Sequence, residues 1–123
     1  MAVGQLRTIV VDCVDAAPLA AFWCAILGTE VHHQRDDWIS LQPVGADRAR
    51  IAFQKVPEAK VGKNRLHLDV WVEDIEAATV EGEALGATRV GDLMLDPGEP
   101  FQVMLDPAGN EFCFVHAPDS EGP

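Results

Sequence analysis

The 123-residue sequence predicts an α+β fold, two tandem β-α-β-β-β modules forming a curved sheet around a cleft. Three observations predict it. A shift of 59 residues lays Asp74, Asp106, Ala108, Phe112 and Val115 on Asp15, Asp47, Ala49, Phe53 and Val56, so the chain repeats itself. Each half opens on a strand-like run followed by apolar residues at helical spacing. Three further short strand-like runs, broken by turn signals, then complete each half.

In the first half, residues 7–14 (RTIVVDCV) form a β-branched run that reads as a strand. Asp15 is placed to cap a helix by accepting from its free N–H groups. Leu19, Phe22, Trp23, Ile26 and Leu27 follow at helical spacing, Pro18 is tolerable in the first turn, and Gly28 suits a left-handed stop. Strands are predicted at about 30–34, 37–43 and 50–56. In the second half, 66–72 (LHLDVWV) reads as a strand, and Asp74 as a cap. A helix then carries Ile75, Ala78 and Leu85, and Gly86 is its stop. Strands follow at about 87–91, 101–105 and 110–116, with turn signals GADR and DPAGN before the last strand of each half. The modules span about 5–57 and 64–116 within one domain of residues 1–117, and 118–123 form a loose tail.

Composition narrows the function. Nine Lys and Arg against 20 Asp and Glu give a formal net charge of -11, which repels a phosphate backbone and an anionic membrane surface alike. The N-terminal residues lack the pattern of a secretory signal and no run approaches a membrane span, so a cytoplasmic protein is expected. Cys13, Cys24 and Cys113 are odd in number, widely spaced and set in apolar runs, which predicts buried free thiols.

A helix on one face of a small sheet leaves the other face open, and alternation says what lies there. Leu66, Leu68, Val70 and Val72 point one way, toward the helix; Arg65, His67, Asp69 and Trp71 point the other. Arg, His, Asp and Trp are too polar for plain core, which makes that side a cleft.

The passages VDAAPLAAFWCAILG, RLHLDVWVEDIEAA, LGA and DPAGNEFCFV resemble the vicinal-oxygen-chelate superfamily, the group of glyoxalase I, bleomycin-resistance proteins and extradiol dioxygenases. The resemblance covers nearly the whole chain and is greatest to short bacterial glyoxalase-like proteins sharing FQKVPE, KNRLHLD and DPxGNEFC. It implies the paired-module fold, a homodimer, and a divalent metal with ligands from the first and last strands of each half. The implied positions are Thr8, Gln54, His67 and Cys113: a hydroxyl, an amide, an imidazole and a thiol, where such a site wants several His or carboxylate ligands. His67 with Cys113 could recruit a soft metal, but two ligands rarely suffice.

Two functions follow. In the first, a glyoxalase-like protein binds a small organic molecule in the cleft without the standard metal. Trp38 and Trp71 stack on a flat ligand while Arg65, Asp69, Gln54, Thr8 and Cys113 supply polar contacts. In the second, a lyase, isomerase or oxygenase uses His67 with a divalent metal, or His67 with Asp69 as acid/base. Each residue has a plainer reading as well: His67 and Asp69 as a stabilising pair, the tryptophans and Met104 as packing, Cys113 as an inert thiol, Asp12 as a backbone contact. The basic stretch 55–65 reads as a solvated linker and HHQRDD (32–37) as an exposed, turn-proximal segment.

Overall fold

The computed structural model describes residues 6–45, 48–64, 66–95 and 100–116. Arg65, Asp47 and the predicted tail at 118–123 lie outside the described residues. The elements run β1 (Thr8–Cys13), α1 (Ala16–Leu27), β2 (Val31–Arg35), β3 (Trp38–Leu41), β4 (Arg50–Lys55), β5 (Leu68–Val72), α2 (Ile75–Ala84), β6 (Thr88–Met94), β7 (Phe101–Leu105) and β8 (Glu111–His116). They form two compact units, residues 1–60 and 61–123. Each is one helix and one four-stranded mixed sheet, ordered β1-β4-β3-β2 in the first unit and β5-β8-β7-β6 in the second. The first and last strands of each unit pair in parallel and the rest antiparallel, so the predicted β-α-β-β-β module is present twice. Among the described residues no helix is long and apolar enough to cross a membrane.

In the first unit, Leu19, Ala20, Phe22 and Trp23 of α1 are buried, as are Ile39 and Leu41 of β3 and Phe53 of β4. The helix ends as predicted, with Gly28 left-handed at φ 66° and its N–H donating to Cys24 O. Its start differs from prediction: Asp15 occupies the cap position but its side chain makes no capping bond. Pro18 is the reason. It stands at the third helical position and has no N–H to offer. The corresponding residue of α2 is Ala77, whose N–H donates to Asp74 Oδ1 at 3.1 Å.

The second unit packs more thinly on its helix side. α2 buries Thr79 and Gly82, two small residues, and the apolar mass comes from the sheet, from Met104, Phe112 and Phe114. Met104 is fully buried opposite Phe112, which makes it core, as its packing reading had it. Phe112 and Phe114 meet edge to face at 5.3 Å between centroids.

Two sequence expectations change at strand ends. β6 runs to Met94 instead of stopping at Gly91, because Gly91 forms an irregularity at φ 68° inside the strand. The buried Gln102 amide holds it, donating to the carbonyls of Val90 and Gly91 at 3.2 Å each. β5 starts at Leu68, leaving Leu66 ahead of the strand and 79% exposed, not facing the helix. The segment 32–37 is exposed and turn-proximal as expected: His32, His33, Gln34 and Arg35 belong to edge strand β2 and Asp36 and Asp37 to the turn.

Candidate functional site

Strand parity decides which side chains share a face, and in the second unit the contact of Phe114 with the Cα side of Gly82 marks the helix side. Phe112 and Phe114 lie there, so Cys113 points to the open face. Register builds that face in rows. Asp69, Cys113, Val103 and Val90 stand side by side across β5, β8, β7 and β6. Two residues along β5, β8 and β7, and four along β6 across its irregularity, Trp71, Val115, Phe101 and Met94 form a second, apolar row. Trp71 is 44% exposed.

His67 sits just before β5, two residues ahead of Asp69, and its Nε2 lies 3.3 Å from Asp69 Oδ1. Cys113 joins them: the imidazole nitrogen, carboxylate oxygen and Sγ all lie within 4.8 Å of one another. His67 and Asp69 are exposed and Cys113 is buried. Burial pushes the Cys113 thiol above its usual range, and the carboxylates of Asp69 and Glu111 push it further the same way, against a smaller opposing effect of Lys63. Three of the predicted site residues are thus brought together by β5 and β8.

Asn64 fixes the approach to this cluster. Its side-chain oxygen accepts from Glu111 N at 3.0 Å, while its amide nitrogen donates to Glu111 O at 3.2 Å and to Leu66 O. The side chain behaves as one more backbone unit beside β8 and ties Leu66, just ahead of His67, to that strand. Lys63 adds an ion pair to the Glu111 carboxylate. Neither Asn64 nor Glu111 was legible as a site residue, because an amide side chain standing in for a strand bond has no spacing signature. Past the other strand end, the DPAGN turn is closed by Asp106. Its Oδ1 accepts from Ala108 N and Asn110 N at 2.9 Å, and its Oδ2 from Asn110 Nδ2 at 3.3 Å.

In the first unit a different row crosses the same relative position: Asp12, Gln54, Trp38 and Arg35 pair in succession across β1, β4, β3 and β2. The Arg35 guanidinium carbon lies 5.6 Å from the Trp38 ring centroid, a cation–π arrangement, and Arg35 also pairs with Asp37 at 3.1 Å. Thr8 pairs with Arg50 in the same sheet.

Register also corrects the repeat. Asp12 faces Gln54, 42 residues on, whereas Asp69 faces Cys113, 44 residues on. The 59-residue shift therefore holds for the first strands and helices and becomes 61 at the last strands. Gln54 then corresponds to Val115, and Cys113 to Ala52. The counterpart of the Cys113 thiol is a methyl group, not the Gln54 amide. A metal set of the kind the resemblance implies wants several His or carboxylate donors among these positions. With Ala52 and Thr8 at two of them, the residues present do not fit that group.

The paired β-α-β-β-β units and their parallel first and last strands define the class: a protein of the glyoxalase/bleomycin resistance/dioxygenase fold. A family model described as a glyoxalase-like domain matches residues 8–115, and the chain belongs to that family. A search of curated proteins gave no match. Among solved structures, the chain is similar to a glyoxalase/bleomycin resistance protein/dioxygenase family enzyme from Burkholderia phytofirmans PsJN, with TM-score 0.79 and 16% identity over 92% of this chain and 98% of that one. It is also similar to a glyoxalase-related enzyme from Fulvimarina pelagi (TM-score 0.74, 17% identity, 94% and 90% covered). A lactoylglutathione lyase from Agrobacterium tumefaciens is a third (TM-score 0.65, 15% identity, 93% and 94% covered). At these identities the likeness is one of fold.

Proposed function

We propose that the protein binds a small organic molecule on the open face of its second sheet, without the metal set typical of its superfamily. The division of that face supports the reading: a polar corner of His67, Asp69 and Cys113 adjoins the apolar row of Trp71, Val115 and Phe101. Small-molecule sites combine apolar walls with a few converging polar groups in this way. Trp71 stacks on a flat part of the ligand, and His67 and Asp69 take its hydrogen-bonding groups. The row of Gln54 and Trp38 offers the same chemistry on the first unit's own sheet.

A thermal-shift screen of small metabolites, planar carboxylic acids included, tests the reading. Hits should quench tryptophan fluorescence and bind about tenfold or more weakly to Trp71→Ala, a loss of about 1.4 kcal/mol. Hits whose affinity is indifferent to Trp71→Ala and Asp69→Asn would reject it.

One distance favours a second reading, catalysis. A carboxylate 3.3 Å from an imidazole nitrogen orients the ring, the arrangement of a general acid/base. On that reading His67→Ala abolishes turnover of the bound molecule while its affinity is largely kept. The reading extends to a homodimer, supported by the exposed apolar residues Val90, Leu93 and Met94 of edge strand β6, which sedimentation tests. A cytoplasmic setting accords with three free cysteines, which a reducing compartment keeps as thiols.

A further inference from the structure

We propose that the first unit carries a binding site of its own, for a small monocarboxylate with an apolar body, in the recess between the end of α1 and the facing ends of β3 and β4. Among the described residues its lining includes none of Asp12, Gln54, Trp38 and Arg35, so it is separate from the row on this unit's sheet.

The recess combines two chemistries. Leu27 closes α1, Leu41 ends β3 and Ile51 lies in β4, and with Pro43 and Val44 they give it apolar walls. Its volume is about 170 Å³. A dry apolar cavity of about 150 Å³ takes up benzene, so one aromatic ring or a branched chain of similar size fits. Arg48 and Arg50 bring two cations to the same lining, in a chain with nine Lys and Arg against 20 Asp and Glu.

Neither arginine is neutralised. Among the described residues the ion pairs are those of Arg35, Lys63, His67 and Arg89, and no carboxylate bonds to the guanidinium of Arg48 or Arg50. The neighbouring polar side chains are engaged: Thr29 Oγ1 donates to Gln42 O at 2.8 Å, and Gln42 Nε2 lies 3.1 Å from His32 Nδ1. The strongest donors left are guanidinium N–H groups, which match a carboxylate in charge and in fork geometry.

The turn before Arg48 accommodates its side chain. A Cβ at position 45 would lie 3.3 Å from Arg48 Cγ and 3.4 Å from its Nε, and Gly45, at φ 100°, lacks that atom. Glycine thus lets the arginine stem lie against the backbone, and Arg48 N donates to Gly45 O at 3.4 Å across the same turn. The nearby helix end offers an anion little opposition, because Cys24 O already accepts from Gly28 N and Thr29 N. Arg48 is exposed and Arg50 half-buried, so each contributes as a surface ion pair does, and the two together give about tenfold in affinity.

The test is titration of isotopically labelled, full-length protein with sodium benzoate at constant ionic strength, followed by amide chemical shifts. Saturable shifts are expected at Leu27, Thr29, Leu41 and Ile51. Arg48→Gln/Arg50→Gln should keep the fold by circular dichroism and bind benzoate about tenfold more weakly. Benzamide, the neutral isostere, should bind wild type weaker by a similar factor of about ten. Trp71→Ala should leave the benzoate shifts at these amides unchanged, so failure of this site and failure of the one proposed on the second sheet are told apart. Absence of shifts at these amides, loss of them in Trp71→Ala, equal affinity in the double arginine variant, or equal binding of benzamide would overturn the proposal.

Discussion

Replacing Gly82 by alanine sets two effects of known size against each other. In a helix interior the change contributes about 0.8–1.0 kcal/mol of stability through backbone entropy and propensity. The added Cβ, however, would lie 3.2 Å from Phe114 Cε2 and 3.3 Å from its Cζ, with Ala87 Cβ at 3.8 Å. Phe114 is 2% exposed, and its ring is held edge-on to Phe112 at 87°. The ring has little room to retreat. Forcing a methyl into a packed core costs about 1–3 kcal/mol, so the net expectation is a destabilisation of about 1 kcal/mol, seen as a fall in Tm of roughly 3–5 °C. Urea and thermal unfolding of wild type, Gly82→Ala, Phe114→Leu and the double variant measure it. The double variant should show a favourable coupling of about 0.5 kcal/mol or more, since the smaller side chain frees the space. A rise in Tm for Gly82→Ala, or strict additivity in the cycle, would refute the claim that helix and sheet here meet at glycine for want of room.

Three further predictions concern the frame of the site and its thiol. Asn64→Ala removes bonds to both backbone groups of Glu111 and to Leu66 O, and should cost about 1–3 kcal/mol in denaturant unfolding and speed amide exchange at Glu111. Asp106→Ala strips the DPAGN turn of acceptors for Ala108 N and Asn110 N and should cost a similar, about 1–3 kcal/mol, whereas Asp106→Asn keeps one acceptor and should cost less. Cys113 should alkylate with iodoacetamide along a pH curve displaced to the alkaline side of a small thiol, because burial, Asp69 and Glu111 all oppose the thiolate. Since its folded pKa lies above the unfolded value, about 8.5, its stabilising contribution is complete below that pH and is lost as pH rises through the folded pKa. A curve matching a small thiol's in folded protein would contradict that account.

The sequence by itself determined the module and its repetition. Alternation of apolar residues, two acidic cap positions and two glycine stops reflect local constraints of strand and helix, and each appears in the structure near where the residues put it. The same alternation assigned His67, Asp69 and Trp71 to the face away from the helix. What local chemistry could not set was register. Gly91 reads as a strand end until the buried Gln102 amide is seen holding it inside β6. Asp15 reads as a cap until Pro18 is placed at the position whose N–H it would need. A two-residue difference in strand pairing moves Gln54 off the counterpart of Cys113 and puts Ala52 there. Pairing between β5 and β8 joins residues more than 40 positions apart, and only it sets Cys113 beside Asp69 and His67. That is why the fold was legible in the sequence and the three-donor cluster was not: strands follow from neighbouring residues, whereas a site follows from which strands lie side by side and in what step.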